Sequence, residues 1–105
     1  MRLADSTWTD VRDVEADLAV LPVGSTEQHG PHAPLGLDFL TAEAIAAEGA
    51  KRYEDARETT VLVGPTIPVG IAAEHRRFDG TLWVSEDAFR AYVRETIESL
   101  ATPGI

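Results

Sequence analysis

One stretch constrains this chain more than any other: Leu21-Pro22-Val23-Gly24-Ser25-Thr26-Glu27-Gln28-His29-Gly30-Pro31-His32-Ala33-Pro34-Leu35-Gly36-Leu37-Asp38. It follows an apolar run and gathers Glu27, Asp38, His29 and His32 among three prolines and three glycines. Alternate side chains of an extended segment share a face, so Glu27 and His29 can point at one spot while Gln28 points away. Pro31 and Pro34 fix φ and bias the residues before them towards extended backbone, which stiffens the loop without hydrogen-bonded secondary structure. Asp38 stands where the loop should meet a helix, and its carboxylate can either cap that helix or lean back towards Glu27 and His29. Mixed carboxylate and imidazole donors suit Zn²⁺ or Mn²⁺, and with no Cys in the chain a thiolate site is excluded. The bland alternative is a polar loop ending in a helix cap.

The elements around this loop alternate. Trp8, Val11 and Val14 recur at three-residue spacing, which predicts a short helix over 6–15 with Thr9 as its cap. Asp17 to Val23 reads as a first strand, with Pro22 tolerable only near its end. Leu40, Ala44, Ala47 and Tyr53, with Ile45 nearby, predict a helix from Phe39 to about Arg57. Thr59 to Ile67 is β-branched and apolar and predicts a second strand bent at Gly64-Pro65; Thr81 to Val84 reads as a third. Ser85-Glu86-Asp87 opens a last helix carrying Phe89, Val93, Ile97 and Leu100, stopped by Pro103-Gly104. This order predicts an α/β sandwich with a largely parallel sheet, whose loops at the C-terminal strand ends carry the site.

Within that frame, Gly24-Ser25-Thr26-Glu27-Gln28-His29-Gly30-Pro31-His32 through Asp38 resembles the signature of the creatininase family, metal-dependent amidohydrolases that include creatinine amidohydrolase. A second block, Pro68-Val69-Gly70-Ile71-Ala72-Ala73-Glu74-His75-Arg76-Arg77-Phe78-Asp79-Gly80-Thr81, is similar to the family's later segment ending in Phe-Pro-Gly-Thr, with Asp79 where Pro is usual and Ile71 in place of a smaller or more polar residue. The resemblance covers essentially the whole chain. It implies a three-layer α/β/α fold, of which residues 1–105 form the N-terminal part of a single domain. It also implies Glu27, His29 and Asp38 as metal ligands, with Asp38 bridging two divalent ions, Zn²⁺ and/or Mn²⁺. The family's remaining ligands belong to a Gly-His segment expected after the next strand, which should begin near Ile105. Glu74 and His75 match a position near the active site and are the candidate catalytic residues; an adjacent carboxylate and imidazole can steer substrate or protons, and an exposed loop pair is the alternative.

The implied function is hydrolysis of a non-peptide C–N bond, in a cyclic amide or formamide, by a metal-activated water. Opening of creatinine is the namesake reaction; related members resemble formamide deformylases of flavin or deazaflavin cofactor synthesis and peptidases of redox-cofactor maturation. A non-catalytic fragment or assembly module is the competing reading. Homo-oligomerisation is expected from the resemblance. Among the other residues, His32 is expected to fill the loop's polar interior, Arg76 and Arg77 to form a solvated turn, and Trp8 and Trp83 to be core or subunit-interface residues. The Glu43, Glu48, Glu95 and Glu98 faces are expected to be solvated.

A net charge of −9 argues against nucleic-acid or anionic-membrane partners. No run of 18 apolar residues or basic-then-apolar leader is present, so a cytoplasmic protein is expected; a small-molecule amide substrate is what the resemblance implies. Acidic residues outnumber basic ones 18 to 9, and Lys51 is the single lysine, a balance that fits a salt-adapted, halophilic source. Greatest stability in the absence of added salt would contradict that expectation.

Overall fold

Two short runs rich in β-branched and aliphatic residues pair to form the sheet against which the long second helix packs. In the computed structural model, which describes residues 1–102, β1 (Ala16–Val20) and β2 (Thr60–Val63) lie parallel with Leu18 opposite Val61 and Val20 opposite Val63. An irregularity between Ala16 and Leu18 shifts the register by one residue. The pairing resumes beyond Pro22 as a single parallel bridge between Val23 and Ile67. On the other edge of β2, a parallel bridge joins Arg2 to Val63.

The expected α/β order is found, with different boundaries. The first helix, α1, spans only Trp8–Arg12, and its cap is Thr7 rather than Thr9: the Thr7 hydroxyl accepts from the Asp10 N–H while the Asp10 carboxylate accepts from the Thr7 N–H. That reciprocal pair satisfies two donors that would otherwise lack partners, and it fixes the start two residues earlier. Helix α2 (Leu37–Arg57) begins two residues before Phe39, so Asp38 sits inside its first turn and Gly36 is the cap residue. Its far end closes with Glu58 in a left-handed conformation, φ 48°, whose N–H donates to the Glu54 carbonyl at 3.0 Å.

Helix α2 presents small residues to the sheet. Ala46 and Ala50 pack on Val61 and Val63, with Val20 and Tyr53 at the margin. Val61 is wholly buried, and burying a valine of this kind contributes about 1.5–3 kcal/mol. The Thr81–Val84 segment is not a strand. Its partners are loop residues: Leu82 makes one antiparallel bridge to Thr26, and the Val84 N–H donates to the Gly70 carbonyl at 3.0 Å. Without a continuous neighbouring strand no ladder can form. Helix α3 (Glu86–Ala101) starts as expected, with the Ser85 hydroxyl accepting from the Ala88 N–H at 3.2 Å. Phe89, Val93 and Leu100 are half-buried, while Tyr92 and Ile97 are exposed. The stop assigned to Pro103-Gly104, and the strand expected near Ile105, lie outside the described residues. No helix among the described residues is long and apolar enough to cross a membrane.

Candidate metal centre

The loop after β1 is fixed from three sides before any side-chain chemistry is considered. The Gly24 N–H donates to the Ile67 carbonyl at 2.9 Å, the Leu82 N–H donates to the Thr26 carbonyl at 2.9 Å, and the Glu27 N–H donates to the Leu35 carbonyl at 3.0 Å. The Thr26 hydroxyl donates to the Pro68 carbonyl at 2.7 Å. Both motif blocks are therefore stitched together through backbone groups. Gly24 is required by space: a Cβ there would fall within the backbone of Phe39, in the first turn of α2. The glycine lets the loop and the start of α2 touch, which brings Asp38 back over Glu27 and His29.

That contact decides between the two roles open to Asp38. Asp38 makes no cap; its Oδ2 lies 3.4 Å from His29 Nε2. One donor atom each from Glu27, His29 and Asp38 falls within a 4.8 Å cluster. The Glu27 side chain is 14% exposed, the most enclosed of the three. His29 Nε2 is buried and has no hydrogen-bond partner despite its proximity to Asp38. Leaving such an atom unpaired costs about 1–3 kcal/mol, so its position has to be accounted for. A divalent cation fits: two carboxylates would supply the balancing charge, and an imidazole nitrogen beside them completes a donor set of the type such ions take.

Glu74 and His75 arrive from the second block, on a short 3₁₀ turn over Ala73–His75. His75 Nε2 lies 3.1 Å from Glu27 Oε2, so the second block touches the first at its most enclosed carboxylate. Glu74 is largely exposed, its Oε1 3.9 Å from His75 Nε2. Glu27, Glu74 and His75 also make a converging donor group, sharing Glu27 with the first.

Gln28 departs from the expected alternation. Residues 27–30 form no regular strand, so Gln28 is free to turn towards the second block, where its Nε2 lies 3.0 Å from His75 Nδ1. Its Oε1 accepts from the Gly30 N–H at 2.9 Å, with Gly30 at φ 75°. His32 does not fill a polar interior; it is exposed on the turn after Pro31, outside both donor groups. Arg76 and Arg77 are exposed, as expected of a solvated turn. Trp8 and Trp83 are exposed rather than core residues, and the Trp8 ring lies under the Arg12 guanidinium at 5.0 Å. Glu43 is partly solvent-facing, in line with the expectation, and is also paired at the surface, its Oε1 2.9 Å from Arg2 Nη2.

Residues 4–105 match the family model described as creatininase, creatinine amidohydrolase. The chain belongs to the creatininase family. Among its relatives, the mycofactocin precursor peptide peptidase of Mycobacterium tuberculosis H37Rv is 40% identical over 86 residues, 78% of this chain and 34% of that protein. The 3-dehydro-scyllo-inosose hydrolase of Thermotoga maritima is 33% identical over 91 residues, 86% of this chain and 27% of that protein. Among solved structures, a Bacteroides fragilis protein provisionally assigned as a creatinine amidohydrolase superposes with a TM-score of 0.85 at 25% identity, covering 95% of this chain and 40% of that one. The creatininase-like α/β fold is thereby shown. This chain spans about a third of the length of the curated relatives it matches.

Proposed function

We propose that this creatininase-family chain carries the donor set of a metal-dependent amide hydrolase, with Glu27, His29 and Asp38 holding Zn²⁺ or Mn²⁺. The observation that carries this reading is the buried, unpartnered Nε2 of His29 beside the carboxylates of Glu27 and Asp38. When bound, a divalent ion in such a set supplies a hydroxide-like water near neutral pH and polarises the scissile carbonyl. Asp38 and His29 stand 3.4 Å apart within the cluster, and Glu27 is its most enclosed member. Further donors come from water, substrate or residues outside this set. Glu74 and His75 converge on Glu27 in the second donor group. In this reading the exposed Glu74 carboxylate exchanges protons with the amide, a role its contact with solvent supports.

The substrate is a small molecule whose C–N bond is opened by water. A non-peptide amide is the first reading, and the 40% identity to a protein named as a peptide peptidase favours a short peptide as the second. Ile71, Phe78, Leu82 and Trp83 are exposed around the second block and fit coverage by another copy of the chain; a monomer by sedimentation at micromolar concentration would count against this.

The test is a panel of creatinine, a formamide and a short peptide, incubated with the protein and Zn²⁺ or Mn²⁺ and read by NMR of the products. Hydrolysis should be metal-dependent and fall more than about 100-fold in Glu27→Gln, as expected when an interaction central to the transition state is lost. Hydrolysis that survives chelation, or is untouched by Glu27→Gln, contradicts the reading.

A further inference from the structure

The contact between the two motif blocks has a direction. The Gly30 N–H can only donate, and it meets the Gln28 carboxamide at 2.9 Å; the atom facing it is therefore the carbonyl Oε1. This leaves the Gln28 NH₂ aimed at His75 Nδ1, at 3.0 Å. An NH₂ has no acceptor capacity, so Nδ1 must offer its lone pair, and in the neutral ring the proton sits on Nε2. Nε2 lies 3.1 Å from Glu27 Oε2 in an ion-pair contact, which sets this edge of the ring against that carboxylate. The ring is steadied by Phe78, with centroids 6.4 Å apart. Competition from Glu74 is weak, because its Oε1 stands 3.9 Å from Nε2 and the side chain is 68% exposed.

We infer that His75 is a positioning residue and not a metal ligand: the hydrogen bonds from Gly30 to Gln28 and from Gln28 to His75 orient the ring, and the Nε2–H edge of that ring, in close contact with Glu27, holds the carboxylate in the orientation its metal-binding role requires. This rests on the proposed donor role of Glu27 and deepens it. A ligating His75 would need its Nε2 lone pair, hence a proton on Nδ1, which would face the Gln28 NH₂ donor to donor. Ligand orientation by a neighbouring hydrogen bond commonly accounts for about 10–100-fold in metal affinity. The second block would then serve the centre by fixing a carboxylate supplied by the first.

Two measurements on the full chain test this. In ¹⁵N-histidine-labelled, metal-free protein, long-range ¹H–¹⁵N spectra should show neutral His75 protonated on Nε2, with its Nδ1 resonance moving in Gln28→Leu. In zinc titrations, His75→Ala and Gln28→Leu should weaken binding about 10–100-fold with stoichiometry kept. His75→Gln, which restores an N–H donor towards Glu27, should recover most of the loss, and X-ray absorption should count one imidazole on the zinc. Circular dichroism melts confirm that each variant is folded. A proton on Nδ1, two imidazoles on zinc, or His75→Gln as damaging as His75→Ala overturns the inference. Absence of zinc binding by the unsubstituted protein overturns the metal reading instead, and the tautomer then decides the hydrogen-bond chain alone.

Discussion

The two ends of the parallel strand pair are both acidic, and among the described residues only one of them brings its acidic groups into a converging donor set. At the N-terminal end, Glu15, Asp17, Glu58, Thr59 and Thr60 line an open polar cleft. Its three carboxylates are exposed, and the Thr59 hydroxyl donates to Asp17 Oδ1 at 3.0 Å, which uses that carboxylate to tie the strand ends together. None of the three belongs to a converging donor group among the described residues. At the C-terminal end, Glu27 and Asp38 are joined by His29, half-enclosed, and held by backbone bonds to two other segments. Carboxylates in water cost nothing to leave apart. Bringing two of them together beside an imidazole needs stiff backbone and a counter-charge, and that requirement separates a site from an acidic surface.

The sharpest way to break this contrast is at Gly24. Gly24→Ala should destabilise the protein by about 3 kcal/mol, the upper end for overpacking, because the new methyl meets the backbone of Phe39 and not a yielding side chain. Urea denaturation would measure it. An unchanged midpoint would show that the close approach of loop and helix is not required. Zinc sharpens the comparison next. At a free concentration one hundred times its dissociation constant, zinc should stabilise the fold by about 2.7 kcal/mol by mass action, reversibly on adding chelator. The gain should vanish in Glu27→Ala and persist in Glu58→Gln, read by thermal melting. Gly49, in the middle of α2, has open space around a Cβ; Gly49→Ala should raise stability by about 1 kcal/mol through helix propensity alone, opposite in sign to Gly24→Ala.

The smallest effect is electrostatic. The Thr7 backbone N–H, then its hydroxyl, hold the Asp10 carboxyl below its ordinary value of 3.8. A depressed folded value means that Asp10's contribution is present above 3.8 and is lost as pH falls through the lower, folded value. Asp10→Asn should remove that component of acid sensitivity and little else, since the group is fully exposed. An acid melting profile identical in Asp10→Asn and the unsubstituted protein would contradict it.

What the sequence made legible was what local pattern encodes. β-branching located β2 and period located α3, and the density of His, Glu, Pro and Gly located the loop that holds Glu27, His29 and Asp38; the apolar face read for α2 was wrong, since Leu40, Ala44, Ile45 and Ala47 are exposed and Ala46 and Ala50 meet the sheet. What it did not encode locally was missed. Gln28 meets His75 across 47 positions, and strict alternation sent Gln28 the wrong way because the loop is not a strand. Thr81–Val84 has strand composition, yet its neighbours are turns, and composition cannot report what lies beside it. Thr7 and Thr9 are equally good caps on paper; the Asp10 carboxylate three residues after Thr7 decides between them. The space requirement at Gly24 depends on where the helix beginning at Leu37 crosses, which no local pattern states.

The central claim, that the C-terminal end of this strand pair is a cation site and the equally acidic N-terminal end is not, is tested most directly by calorimetric titration of zinc. Three proteins suffice: the unsubstituted chain, His29→Ala and Asp17→Asn. Saturable binding should be seen in the first, be lost in His29→Ala and be unchanged in Asp17→Asn. Binding that survives in His29→Ala, or disappears equally in Asp17→Asn, would contradict the account.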